Sequence, residues 1–494
     1  MPPDAPAEPE YLDVLIVGAG ISGIGAAHHL SSRRQRTRFA VLESKPTFGG
    51  TWVTHSFPGI RSDSDLFTFG YRFKPWRRAP IATAEEILHY LGETIAENDL
   101  ARHIRYGHKV LGAEWSSAQR RWVVQVEHGE RRFLITAGFL WMCQGYYRHD
   151  QGYTPDWPGM SGFKGRIVHP QTWPDDLELS GQRVVVIGSG ATAATLVPAI
   201  AGRCASLTML QRTPTWFRSG REIDLLVNML RELKIPDEWV HEIARRKVLL
   251  EQGRFAQRCK TEPEAVAQEL LAPIRARLGP GRDAVVERHF RPPYTPWRQR
   301  LAFLPEGDLI QAVASGKARV VTDHIERFDA EGLVLASGER LDADVVITAT
   351  GFHLSPLGDI PFTIDGRRLD LADTVTWRGA MFTGVPNLVW VFGYIRASWT
   401  LRVDLMADLV LRLLDHMAEQ GAAAVTPQLR PQDAGMRLKP WIDPEDFNPG
   451  YLARGRDRFP KQGDHQPWLH GNDYWADKVE LPAAPLDDGT LIFN

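Results

Sequence analysis

The apolar positions of this chain fall into short unbroken runs, and two of those runs end in the same way. Asp13-Val-Leu-Ile-Val17 leads directly into Gly18-Ala-Gly20-Ile-Ser-Gly23, and an alanine-rich helical pattern continues to about Leu30. Arg183-Val-Val-Val-Ile187 leads into Gly188-Ser-Gly190-Ala-Thr-Ala193, with a helical pattern to about Ala201. A run of β-branched residues without polar alternation predicts a strand buried on both faces, as in a parallel sheet. Arg38–Leu42 and Ser206–Leu210 supply a second such strand to each unit. Further strands are predicted at Arg121–Glu127, Arg132–Trp141, Ala318–Thr322 and Leu388–Phe392, and around Asp344–Phe352. Thr83-Ala-Glu-Glu86 is a capping box that opens a helix to about Asn98. Helical periodicity dominates 221–290 and returns over Leu401–Met417.

Strand, glycine turn and helix in that order form a phosphate site. The first glycine permits the tight turn, the second lets backbone approach a pyrophosphate, and the third lets helix pack on strand. The helix N-terminus then presents free N–H groups to the anion. Glu43 lies 25 residues after Gly18, where a carboxylate holds an adenosine ribose. In the second unit Ala193 replaces the third glycine, and Arg212, followed by Thr213, stands where the first has its acid. An arginine there accommodates a 2′-phosphate, so the second site reads as one for NADP. The alternative is a solvated surface arginine.

The predicted fold is therefore α/β, with two Rossmann-like dinucleotide-binding domains and a helical insert in the second. The expected boundaries are a disordered tail at 1–10, a first domain at 11–150 and a second at 151–335 carrying the insert 221–290. Residues 336–494 return to the first domain and end in a tail that wraps the surface. Gly49–Asp65 reads as irregular backbone, although Trp52, Phe57 and nearby Phe67 are unlike a solvated loop. Pro292–Arg300 reads as a rigid loop.

Composition narrows the class without changing this picture. A formal net charge of −2 over 494 residues gives no field for nucleic acid or an anionic membrane. Three scattered cysteines make neither a disulfide framework nor a zinc site, so no metal is expected and a reducing, cytoplasmic setting is. The N-terminus has no secretory pattern, and no apolar run reaches membrane-spanning length. The sequence leaves the oligomeric state open.

Between the two units lies Phe163-Lys-Gly165-Arg-Ile-Val-His169-Pro-Gln-Thr-Trp173-Pro174. This stretch resembles the fingerprint of the class I Baeyer–Villiger monooxygenases, in the branch with the ethionamide-activating enzymes. The same resemblance is carried by Gly49-Gly50-Thr51-Trp52, by Pro58–Asp65, by Pro296-Trp-Arg-Gln-Arg300, by Ala349-Thr350-Gly351 and by Tyr394 with Ala397–Leu401. It implies FAD and NADPH as cofactors and a small ketone or thioether with O2 as substrates. Enzymes of that family form a C4a-peroxyflavin that attacks a ketone and rearranges it to an ester. The resemblance makes Arg300 the cation beside the flavin and Asp63 its partner. It places Gly50, Thr51, Trp52, Thr350 and Gly351 at the flavin. It makes His169 and Trp173 parts of a conformational connector. Trp399 is either a pocket wall or core. Ser56, Arg396 and Cys143-Gln144-Gly145 depart from the family pattern. A flavin N- or S-hydroxylase of the same architecture, and a non-catalytic NADP-dependent redox sensor, remain alternative readings.

Overall fold

The computed structural model describes residues 8–220 and 224–494. The tail expected at 1–10 and the start of the 221–290 insert fall partly outside them. The chain opens with β1 (Glu10–Val17), which feeds α1 (Ile21–Arg33) and then β2 (Phe39–Leu42). Two single turns follow, α2 (Thr51–Thr54) and α3 (Leu66–Phe69), and then α4 (Ala84–Glu97). The capping box of α4 is complete, with Thr83 Oγ1 accepting from the Glu86 N–H. Next come β3 (Ile104–Arg105), β4 (His108–Ser116), β5 (Arg121–His128) and β6 (Arg131–Met142). β7 (Tyr147–Gly152) and β8 (Arg166–Val168) lead into β9 (Arg183–Ile187), α5 (Ala191–Ile200), β10 (Ser206–Gln211) and β11 (Phe217–Gly220).

The insert consists of α6 (Leu225–Glu232), α7 (Asp237–Thr261), α8 (Pro263–Leu278) and α9 (Asp283–His289). The chain returns through β12 (Ala302–Pro305), α10 (Asp308–Ala314) and β13 (Arg319–Thr322). A small antiparallel sheet of β14 (Ile325–Phe328), β15 (Gly332–Leu335) and β16 (Arg340–Asp342) precedes β17 (Val345–Thr348) and β18 (Phe352–Leu354). The last part adds β19 (Phe362–Ile364), β20 (Arg367–Arg368), α11 (Thr400–Gln420), α12 (Gly450–Gly455) and α13 (Tyr474–Glu480).

Two sheets organise these elements. The larger runs β20-β19-β4-β5-β6-β1-β2-β3, and the strand Leu388–Trp390 also pairs with β6. Within it β1 is parallel to β2 and to β6, with Val17 opposite Leu42 and Met142. The smaller sheet runs β13-β10-β9-β17-β8 and is parallel throughout. Val14, Leu15, Ile16, Val185 and Val186 are all almost fully buried, as unbroken apolar runs require. Both sheets therefore present strand ends and helix N-termini to a shared cleft, where ligands of parallel sheets bind.

Three regions differ from the sequence reading. Thr51–Thr54 forms a helical turn inside the stretch expected to be irregular. Its entry depends on Gly49 and Gly50 at φ 122° and 56°, a conformation that side chains disfavour. The insert is not confined to the second unit. Val240 and Ala244 of α7 sit in the core of the first sheet, and Phe255 and Cys259 of the same helix sit in the core of the second. Arg245 of α7 donates to Phe67 O and Gly70 O at 2.9 and 3.0 Å, tying the insert to α3. Finally, the C-terminal tail does more than wrap. Its strand Leu491–Phe493 pairs with Val425–Pro427, but α12 turns inward and reaches the cleft.

Candidate active site

The cleft is a cavity of about 1690 Å³ that runs from the first glycine turn to the second. Gly18 has φ 100°, and a Cβ there would stand 2.9 Å from Cys143 O. A Cβ on Gly23 would lie 1.8 Å from Gly18 O, so only glycine lets α1 start this close to the strand. Gly20 and Gly50 face one another, with a Cβ on Gly50 only 3.1 Å from Gly20 Cα. Buried Glu43 accepts from Ala19 N–H at 2.8 Å and from Lys45 N–H at 2.9 Å while lining the cavity. The carboxylate is thus oriented by backbone donors toward the space beside the turn.

At the second turn Gly188 has φ 126°, and a Cβ there would meet Ala349 O at 2.3 Å. Gly190, Ala191, Thr192, Thr350 and Gly351 line the same cavity. A Cβ on Gly190 meets no atom within 4 Å, so this turn opens on free space. Ser189 Oγ donates to Thr213 O at 3.2 Å and pins the loop that carries Arg212. Arg212 and Thr213 are exposed and line the cavity. Among the described residues, Arg212 has no acidic partner.

Arg300 and Asp63 meet between the two turns. Arg300 Nη2 donates to both carboxylate oxygens of Asp63 at 3.0 and 2.8 Å, and Nε donates to Oδ2 at 3.2 Å. The Asp63 charge holds the guanidinium above its usual pKa, against the opposing cost of burial. Its side chain keeps 38% of its surface, facing the open cleft between the two turns. Trp297, three residues earlier, is held at φ 64°, a strained conformation for a bulky side chain. Arg396, one of the departures from the family pattern, donates to Trp297 O at 3.4 Å and pairs with Asp446 at 2.6 Å. It therefore braces this loop from behind and does not line the large cavity.

Trp399 resolves as both wall and packing. Its ring lines the cavity and stacks on Tyr146, with centroids 5.1 Å apart and planes at 8°. Its Nε1–H donates to Ser22 Oγ at 2.9 Å. The connector residues Phe163, Gly165, His169, Trp173 and Pro174 do not line the cavity, and neither does Gly23. Phe163 packs in the core beneath the small antiparallel sheet, and Trp173 packs on the core of the smaller parallel sheet. His169 Nδ1 accepts from Gln171 N–H at 3.1 Å, which leaves Nε2–H to donate to Gly351 O at 3.0 Å. Burial pushes its pKa down. Both ring nitrogens are committed, so the residue links the connector to the Gly351 stretch and is not a free base.

Several cavity residues carried no signal in the sequence. Tyr146 O–H donates to Tyr147 Oη at 2.7 Å, and Tyr146 and Tyr451 both lie within the field of Arg300. Thr54 Oγ1 meets His149 Nδ1 at 2.9 Å and also accepts from Lys45 Nζ. Burial pushes both His55 and His149 down to about 4, and neighbouring basic groups add to the effect. His55 Nδ1 is buried without a partner. Lys45, His55 and His149 line this part of the cavity, and their N–H donors suit a ligand bearing phosphates. So do the two glycine turns and the buried Glu43 carboxylate beside the first. The residues therefore fit dinucleotides at both turns.

Comparison with known proteins points to the same kind of cofactors. The family model "Flavin-binding monooxygenase-like" matches residues 80–230, and "NAD(P)-binding Rossmann-like domain" matches residues 16–77. The FAD-containing monooxygenase EthA of Mycolicibacterium smegmatis is 43% identical over 487 residues, covering 98% of this chain and 97% of that one. An oxidized steroid monooxygenase bound to NADP shares the fold, with a TM-score of 0.77, 22% identity and coverage of 98% and 99% of the two chains. A cyclohexanone monooxygenase with ε-caprolactone bound aligns with a TM-score of 0.69 at 21% identity, over 86% of this chain and 90% of that one. With 43% identity sustained along almost the whole of both chains, this protein belongs to the FAD-containing monooxygenases of the flavin-binding monooxygenase-like family.

Proposed function

We propose that this monooxygenase carries out Baeyer–Villiger oxidation. A ketone, O2, NADPH and a proton give an ester or lactone, NADP⁺ and water, and thioethers are oxidised to sulfoxides in the same cavity. One observation carries the reading: a forked Arg300–Asp63 pair faces the space between two dinucleotide turns. FAD would be held by Gly18, Gly20, Glu43, Gly50, Thr51 and Trp52, while Thr350 and Gly351, which the resemblance puts at the flavin, follow Ala349 beside the second turn. NADPH would be held by Gly188, Gly190, Ala191, Thr192, Arg212 and Thr213. A reduced flavin supplies the activation of dioxygen.

The chain supplies charge, position and exclusion of water. A guanidinium stays protonated at any working pH and stabilises negative charge developing on the reacting oxygens. Asp63 fixes its plane and moderates its charge. Trp399 and Tyr146 form an aromatic wall that limits water beside the reacting atoms. The cyclohexanone monooxygenase neighbour was solved with ε-caprolactone bound, a lactone of the kind this chemistry makes.

The test is product analysis. The purified FAD-loaded protein is supplied with NADPH, ¹⁸O2 and a panel of cyclic, aryl and long-chain ketones plus aryl thioethers. Mass spectrometry should find one labelled oxygen in an ester or lactone. Oxidation of amines or thioethers with no ester from any ketone would favour the N- or S-hydroxylating reading. NADPH consumption that yields only hydrogen peroxide would contradict both.

A further inference from the structure

The tail helix α12 places Arg454 at the second glycine turn, and neither its sequence nor the family reading gives it a role. The guanidinium lies 3.6 Å above the Tyr153 ring. Its Nη2 stands 3.7 Å from the point a Cβ on Gly351 would occupy. Tyr153 is itself fixed there, since its N–H donates to Gly351 O at 3.0 Å and its carbonyl accepts from Thr350 Oγ1 at 2.5 Å. Gly351 follows β17, the neighbour of β9, and the Gly188 turn abuts Ala349 of the same stretch. Arg212 follows β10, on the other side of β9. The two arginines therefore flank the turn, one on each side. Among the described residues, neither forms an ion pair, and both line the cavity. Burial lowers the Arg454 pKa, and the Arg212 charge lowers it further. Two exposed, unpaired guanidinium groups within each other's field would both gain from an anion placed between them.

We propose that Arg454 binds the diphosphate of the nicotinamide dinucleotide from the β17 side, while Arg212 reads the 2′-phosphate from the β10 side. A dinucleotide across this turn has its adenosine toward β10 and its diphosphate over the α5 N-terminus. Arg454 is thus a common cation for NADPH and NADH, and Arg212 is the discriminating one. The contact with Tyr153 holds the guanidinium over the ring and leaves its N–H edge free to meet phosphate oxygens. The tail thereby becomes part of the coenzyme site. This inference rests on the NADPH-dependent reading above.

Calorimetric titration of the full-length FAD-loaded protein with NADP⁺, NAD⁺ and adenosine 2′-monophosphate tests it. Arg454→Gln keeps an amide over Tyr153 and removes the charge. It should weaken NADP⁺ and NAD⁺ by a similar factor, about ten- to a hundredfold, and leave adenosine 2′-monophosphate unchanged. Arg454→Lys should lose less. Arg212→Ala should instead weaken NADP⁺ and adenosine 2′-monophosphate while sparing NAD⁺. Wild-type affinity of Arg454→Gln for both dinucleotides would overturn the proposal. So would a loss confined to NADP⁺, which would move Arg454 to the 2′-phosphate. Failure of the wild type to bind either dinucleotide would instead remove the coenzyme reading beneath it.

Discussion

The two glycine turns share a motif and differ in how the chain closes them. The first is covered: Gly50 packs against Gly20, Gly23 admits no Cβ, and Glu43 is buried with backbone donors on its carboxylate. The second is open: Gly190 faces free space, Ala193 stands at the third motif position, and Arg212 is exposed. A covered turn suits a cofactor that stays bound, and an open one suits a coenzyme that must leave after each turnover. On the proposed assignment, the acid at one turn and the cation at the other decide which ribose each accepts.

Substitution at the third motif position would break this contrast most sharply. Gly23→Ala puts a methyl into Gly18 O, and both atoms belong to buried backbone that cannot yield. Bound FAD, read by absorbance after gel filtration, should be lost almost completely. Ala193→Gly at the matching position should cost about 1 kcal/mol of stability and keep both ligands. Equal behaviour of the two variants would erase the distinction between the turns.

The next effect is on coenzyme choice. Arg212→Ala would remove the paired, charge-assisted contact proposed to the 2′-phosphate dianion, worth on the order of 2–3 kcal/mol. The KM for NADPH should rise far more than that for NADH. A parallel rise in both would move the 2′-phosphate elsewhere.

A smaller effect concerns acid stability. His28, His55, His149 and His241 are each pushed by burial to about 4. In the unfolded chain they take up protons as pH falls below about 6.5, whereas in the folded protein they stay neutral until about 4. The unfolded state then holds more protons across that window, so Tm should fall as pH drops from 6.5 to 4. Asp65, pushed by burial to about 7, opposes this with a single group. His55 and His149 face the cavity, so anionic FAD should raise their pKa values. The decline should therefore be steeper without FAD than with it, and a decline of equal slope would place no phosphate near them.

The sequence made some of this legible because local chemistry decided it. Unbroken β-branched runs, glycine turns and a capping box are each specified within a few residues, and their elements lie within a few residues of where they were expected. Trp399, Tyr451 and Arg454 are decided by partners far away in sequence. Trp399 packs on Tyr146, and Arg454 stacks on Tyr153, with roughly 250 to 300 residues between the partners. Helical periodicity found α7 but not its two partners, because one helix divides its buried face between two cores. The pairing of Asp63 with Arg300 came from resemblance, since nothing local announces it across a separation of 237 positions.

The proposed chemistry depends most on the charge held between the two turns. Arg300→Ala, compared with wild type by stopped-flow flavin absorbance and by product analysis, tests it most directly. Loss of one preorganised stabilising contact typically costs about two to three orders of magnitude in rate. Ester formation should fall by that amount, FAD should remain bound, and NADPH oxidation should continue with hydrogen peroxide as its product. Asp63→Ala should show a milder form of the same defect. An Arg300→Ala variant that still makes ester at near wild-type rate would contradict the central claim.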